Sequence, residues 1–510
     1  MRKTVKKLTA VGLTVTSVLG LVACGSSKGT TSQGTSENKE VTKPDTFTVM
    51  CDGTVVTETN GAEAFYKQLN EATGLDIKWT RPDHASYYDA VANAFNSDDT
   101  MPDVVLLSSD YYALYASNGF LWNMTDAWEH SETKNSGRLI STADNVLSAL
   151  MVNGEDGTKA MYGLSLYRGN GCCTYVKKAW LDKAGIDASK VKDVQMDFNT
   201  YYGYLKQMAQ TMGHYVISSP GFIHPEAPNT NYLPEFYQKA QYTFYKDTSG
   251  KYVDGFAQQE MKEALQRIQT AVNDGVIDKE SVNNSTANAR DKFYSTDPST
   301  ETGVFTYWAG TWANTLKTNL ANKGLDDELI AIKPIKELGA YTERIAPCWC
   351  ITSAAKNPEG IFKYFIDKML DGGDVQMLWT HGAKGTHWDD KAETVTVEKK
   401  EDQPKTYTEG QFHYLPGIEK PDQWQTKNHI DPILSIANFT NGYVGESLIP
   451  EVARENGEFF AENSQVAVPL PMTSELSNNI GDINTARTYV IAQVALGYMT
   501  VDEGMDYYNK

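Results

Sequence analysis

The segment Met101–Leu107, reading Met-Pro-Asp-Val-Val-Leu-Leu, constrains the fold more than any other part of the chain. Its proline stops a preceding helix, and the four apolar residues that follow offer no polar side chain to water. A strand of this kind must be covered on both faces. Its neighbours obey the same logic. Thr46–Val49 begins a strand that Cys51-Asp52-Gly53-Thr54 ends in a turn. Ala62–Ala72 reads as a helix with Phe65, Leu69 and Ala72 on one face, stopped by Gly74. Leu75–Trp79 alternates like a half-buried strand, and helical spacing returns from Tyr87 to Phe95. Strands alternating with helices predict an α/β fold built on parallel sheets.

The pattern recurs downstream. Ala179–Ala184 reads as a short helix ended by Gly185, and Asn199 or Thr200 caps a helix running to Met212. Met261, Leu265, Ile268 and Val272 lie at helical spacing within Glu260–Val272. Asn357-Pro358-Glu359 starts a helix with an N-cap, a proline in the first turn and an acid near the positive dipole end. Its expected buried stripe is Ile361, Phe362, Phe365, Ile366 and Met369. Thr394–Val397 and Thr406–Thr408 flank a charged turn and read as an exposed hairpin. No solenoid repeat is visible.

The chain has 510 residues, more than one hydrophobic core organises, so two lobes are expected. Arg2, Lys3, Lys6 and Lys7 precede an apolar run from Leu8 to Leu21, the layout of a secretory signal over residues 1–23. Leu21-Val22-Ala23-Cys24-Gly25 resembles a bacterial lipobox, in which Cys24 receives lipid and becomes the mature N-terminus. The Ser/Gly/Thr-rich segment within residues 24–45 suits a flexible tether. The expected location is the outer face of a cell membrane, held by lipid. Net charge is −19, and past the signal 42 basic residues face 65 acidic ones. Such a surface disfavours nucleic acid and highly charged acidic substrates. The 29 Tyr and ten Trp exceed what a core easily absorbs, since each buried hydroxyl needs a partner, and both side chains stack on sugar rings. Five cysteines remain besides Cys24, with no zinc-like spacing.

Five segments together resemble the carbohydrate-binding class of extracellular solute-binding lipoproteins of ABC importers. They are MPDVVLLSSDYYALYASNGFLWNMTD (Met101–Asp126), YGLSLYRGNGCCTYVKKAWLDKAG (Tyr162–Gly185), GVFTYWAGTW (Gly303–Trp312), ITSAAKNPEGIFKYFIDKML (Ile351–Leu370) and HGAKGTHW (His381–Trp388). The resemblance implies a two-lobed periplasmic-binding-protein-like clamp of type II, with mostly parallel sheets flanked by helices and about three hinge crossings. The first lobe would comprise residues 46–164 plus 351–410, the second 165–350 plus 411–510. Ligand would sit between them, at loops beyond the carboxyl ends of strands.

A sugar site needs aromatic faces for ring C–H groups and fixed polar groups for hydroxyls. Trp312 and Trp308 fall where this family places a stacking tryptophan, with core packing as the alternative. Asp110 follows the Val104–Leu107 strand and reads as a ligand contact or a helix N-cap; Asp52 ends the first strand, as a contact or a turn residue. Arg168 and Asn170 lie at the first crossing, Arg168 equally suited to a structural salt bridge. Trp349 lies at the second crossing, to stack or to pack. Trp388 and His387 close the glycine-rich turn, facing either ligand or open surface, and Asp83 and His84 are candidate rim contacts. The resemblance also implies that Cys172 or Cys173 lies beside Cys348 or Cys350, where a disulfide could form or the thiols could stay free.

The leading expectation is a monomeric, non-catalytic receptor that captures a neutral oligosaccharide for a membrane permease. A receptor for a peptide or another small solute is the second reading. A glycoside hydrolase would need two carboxylates about 5–10 Å apart, which 65 acids satisfy too easily to mean anything. A purely structural surface protein would bind no soluble ligand. No GxSxG, HExxH or EF-type loop occurs, and no cofactor or metal is expected.

Overall fold

A computed structural model describes residues 41–53, 61–83, 86–137, 147–148, 150–165, 169–222, 231–247, 249–325, 327–345, 347–395, 405–415, 451–467 and 474–510. Cys24, the signal and most of the tether lie outside these residues, as do His84 and Arg168.

The first sheet has five strands, in the order Asp76–Thr80, Thr46–Met50, Val104–Leu107, Cys348–Ile351, Gly163–Leu164. The first three are parallel, as the alternation of apolar strands and helices predicts. Cys348–Ile351 returns antiparallel to Val104–Leu107 and to Gly163–Leu164. All four residues of Val104–Leu107 are buried. The helix at Ala62–Thr73 buries Ala62, Phe65 and Leu69, and Gly74 ends it at φ 63°, a conformation glycine adopts without cost. The helix after Asn357 opens as expected, its cap accepting from Gly360 N at 3.0 Å, then widens into a π turn at Phe362–Ile366. Ile361, Phe362, Phe365, Ile366 and Met369 are all buried.

The second sheet differs from the expected parallel pairing. Cys172–Lys177 lies antiparallel between Val304–Trp308 and Leu329–Ala331. Apolar periodicity reports that a strand is covered, not which way its neighbour runs. Asp197, rather than Asn199 or Thr200, caps the Phe198–Met212 helix, accepting from Thr200 N at 2.8 Å. Met261, Leu265, Ile268 and Val272 face the core from Gln259–Asn273 as expected.

Buried side chains gather into separate cores. One surrounds the first sheet and draws on residues 47–164 and 345–383. Two others occupy the neighbourhood of the second sheet, with no residue in common with the first. The chain passes from Leu164 to Cys172, and returns from the Tyr341–Glu343 strand to Cys348. These two crossings touch: Arg344 N donates to Asn170 O at 3.0 Å. The expected hairpin forms between Glu393–Val395 and Lys405–Tyr407, with Thr394 opposite Thr406. His413–Tyr414 pairs with Trp388–Asp389, so this part of the chain stays with the first lobe beyond residue 410.

Candidate functional site

Because three strands of the first sheet are parallel, their carboxyl ends share one edge. Asp52, Asp83 and Asp110 follow these three ends, two or three residues beyond Met50, Thr80 and Leu107. Gly53 N donates to Pro82 O at 2.7 Å, which holds the first two loops together. Tyr87 OH donates to Leu106 O at 2.7 Å, and Ser108 N donates to Tyr88 OH at 2.9 Å. Tyr88 stacks on Tyr111 with centroids 3.7 Å apart and planes within 4°. Burial pushes the Tyr88 phenol up to about 12 against the Ser108 hydrogen bonds, so it stays neutral. Arg81 lies 5.5 Å from the centre of the Tyr66 ring at the same edge.

One strand of the second sheet ends on an indole. Val304–Trp308 ends at Trp308, and Trp312 opens the helix Thr311–Asn322. Both indoles are half-buried. Asn170 Nδ2 donates to Ala309 O at 3.1 Å, placing the first crossing against the loop between the tryptophans. Asn456 Oδ1 accepts from Gly310 N at 2.7 Å and from Tyr175 OH at 3.0 Å, which fixes that loop from the other side. The Arg344 guanidinium lies over Trp308 at 4.6 Å and that of Arg290 over Trp312 at 5.0 Å. Tyr307 meets Trp312 edge to face at 4.9 Å. Aromatic faces, amides, carboxylates and guanidinium groups on two strand edges can hold a hydroxyl-rich ligand with apolar ring faces.

No family model matches the sequence, and no curated protein matches it. Solved structures do match in fold. An extracellular solute-binding protein, family 1, from Alicyclobacillus acidocaldarius covers 92% of this chain and 97% of its own, at TM-score 0.55 and 13% identity. An alginate-binding protein solved without calcium covers 92% and 95%, at TM-score 0.54 and 16% identity. An HMO-binding, ABC-transporter-associated solute-binding protein from Bifidobacterium longum infantis covers 91% and 94%, at TM-score 0.55 and 13% identity. The chain has the solute-binding protein fold.

In this two-lobed fold the segments through Asn170 and Arg344 are crossings between lobes, and the Trp308–Trp312 loop stands beside them. Asn170, Trp308 and Trp312 are thus brought together. Asp52 and Asp83 share the first-sheet edge, although Asp83 is exposed and its carbonyl accepts from Ser86 N at 3.0 Å in a turn. Asp110 is not the helix cap: Ser108 occupies that position, and Asp110 lies in the first turn of Ser109–Ser117.

Trp349 is a packing residue. It is 4% exposed, and its ring is enclosed by Trp379 at 5.6 Å, Phe365 at 6.0 Å and Trp79 at 6.5 Å. Trp388 donates its indole N–H to Gly382 O at 2.9 Å and stacks on Phe412 at 5.1 Å, bracing the glycine-rich turn. His387 is buried and its Nδ1 accepts from Ala383 N at 2.7 Å. The five described cysteines are buried, and none is bridged to another described cysteine. Cys172 and Cys173 pair with Trp308 and Tyr307 in the second sheet, Cys348 and Cys350 with Leu107 and Val105 in the first, so separate sheets hold the thiols that a bridge would join.

Tyr88, Tyr111, Arg290 and Arg344 escaped the sequence reading. Tyr111 and Tyr115 are four apart on one helix, a spacing that core residues share. Arg344 carries no motif at all. Among the described residues no helix is long and apolar enough to cross a membrane.

Proposed function

We propose that this protein is the lipid-anchored receptor of an ABC importer. It captures an oligosaccharide between its lobes (residues 46–164 with 348–415, and 169–344 with 451–510) and delivers it to a membrane permease. The lobes close on the ligand about the crossings at Asn170 and Arg344. The observation that carries this reading is the loop from Trp308 to Trp312, whose two indoles lie beside Asn170 where the chain crosses. Proteins of the same fold include an alginate-binding protein and a maltose-bound one. The receptor acts as a monomer and performs no chemistry on the sugar. Its lipid anchor at Cys24 places it on the outer face of the membrane, as suits a bacterium lacking an outer membrane to confine a free receptor.

Thermal shift and calorimetry against an oligosaccharide panel test the reading, because a ligand that binds only the folded form raises its melting temperature. A shift with at least one oligosaccharide is expected, with no product on chromatography. The absence of any shift would sink the proposal, and product formation would make the protein an enzyme. Replacing Cys24 with Ala should release the protein to the medium with its sugar affinity unchanged.

A further inference from the structure

Five of the described arginines, those beyond Arg81, divide into two kinds. Arg267, Arg454 and Arg487 each lie within 4.0 Å of a carboxylate, on Glu263, Glu458 and Asp254. Arg290 and Arg344 do not, in a chain with 65 acids against 46 bases. Both are half-buried, and both lie on the indoles of the candidate site, Arg290 at 5.0 Å from the centre of Trp312 and Arg344 at 4.6 Å from that of Trp308. The one side-chain hydrogen bond of Arg290 goes to the neutral Tyr307 hydroxyl. The Arg344 side chain makes none; only its backbone is engaged, with Asn170.

A half-buried guanidinium without a carboxylate is unusual, because its desolvation is offset only in part. The ring beneath offsets some of that cost and uses none of the five N–H donors. Those donors form a planar fork that matches a carboxylate. Among the described residues no carboxylate lies within 4.0 Å of either guanidinium, which leaves room for the ligand to supply a counter-ion.

We propose that the oligosaccharide carries a carboxylated sugar, a uronic-acid residue among otherwise neutral rings, and that Arg290 and Arg344 receive its carboxylate beside the indoles on which the ring stacks. This rests on the oligosaccharide reading above and replaces the wholly neutral ligand expected from net charge. The overall acidity opposes a polyanion but not a single carboxylate held by a local pair of cations.

Calorimetry with uronic-acid oligosaccharides, each paired with its carboxyl-reduced form, tests this on the intact protein. The acidic member should bind at least about tenfold tighter, and the difference should shrink as salt rises. Arg344→Gln and Arg290→Gln should each erode that preference, while Arg454→Gln, on a surface helix, should not. Arg344→Lys retains charge without the fork and should keep part of the preference, which guards against a misfolded Gln variant; melting curves report folding of each. Equal affinity within every pair would overturn the proposal and leave the sugar receptor standing. A preference that survives both Gln variants would overturn the arginine assignment. Failure of all acidic and neutral sugars to bind would instead remove the oligosaccharide reading itself.

Discussion

Arg344 N donates to the carbonyl of Asn170 across 3.0 Å, and this bond joins the two described crossings between the sheets. It sets a close approach in which the next residue, Gly171, has no room for a side chain: a Cβ there would stand 2.1 Å from Thr342 O and 2.6 Å from the Phe460 ring. Gly171→Ala must push a backbone carbonyl aside. The expected cost is about 1–3 kcal/mol, as for other overpacked sites, with weaker ligand binding because the crossings shift. Melting temperature and calorimetry measure both. An unchanged melting temperature would mean that the crossings yield freely.

The two aromatic environments separate in a paired experiment. Trp349→Ala empties an enclosed position in the first core and should cost about 3–5 kcal/mol, with ligand affinity altered only through folding. Trp312→Ala removes a half-buried indole at the second-sheet edge. It should keep most of the stability and lower oligosaccharide affinity by at least about tenfold, the scale of one lost stacking contact of roughly 1–3 kcal/mol. Equal losses of affinity in the two variants, at equal stability, would contradict this division.

Trp308 and Trp312 were legible in sequence because they flank the end of an apolar strand, where an aromatic has no sheet face to cover. Trp349 shows the limit of that signal. Cys-Trp-Cys-Ile beside a crossing leaves stacking and packing both open, and the strand sits between Val104–Leu107 and Gly163–Leu164, buried along its length. Burial of this kind depends on neighbours far away in sequence. The Tyr88–Tyr111 stack was invisible for the same reason: each ring belongs to a different helix, and only the sheet brings them together. Chain order and covered strands are local properties and were readable. The antiparallel second sheet and the two unpaired arginines are not local.

The Tyr88–Tyr111 platform gives its own prediction. Tyr111→Ala should weaken ligand binding without abolishing it, since the Trp308–Trp312 edge remains, and the Tyr111→Phe variant should retain affinity because the ring rather than the hydroxyl does the stacking. Loss of affinity in the Phe variant equal to that in Ala would assign the role to the hydroxyl instead. Calorimetry on the two variants with the same sugar decides between them.

The buried thiols are open to direct counting. In the Cys24→Ala protein only five cysteines remain, all buried, and burial pushes the thiols of Cys51 and Cys173 up to about 12. Thiolate is the reactive form, so native protein should be inert to an aromatic disulfide reagent. Denatured protein should release five equivalents, identical with and without prior reduction. A lower count without reductant would reveal a bridge.

Glu235 contributes its own pH dependence to stability. Its carboxyl is 1% exposed in the second lobe, accepting from Thr174 Oγ1 at 2.7 Å and from Tyr341 OH at 3.3 Å. Burial raises its pKa to about 7, and these two hydrogen bonds hold it below a still higher value. The unfolded chain releases this proton near pH 4.5, so between there and pH 7 the folded state binds more protons than the unfolded one. Stability from this group is therefore full at low pH, falls as pH rises, and levels off above about 7. A displacement of this size corresponds to about 3 kcal/mol. Glu235→Gln keeps the shape and both acceptor contacts without the charge. Its melting temperature should exceed that of the parent at pH 8 and match it near pH 5. A parent protein whose stability rose from pH 5 to 8, with the Gln variant following the same curve, would show that Glu235 does not titrate in this range.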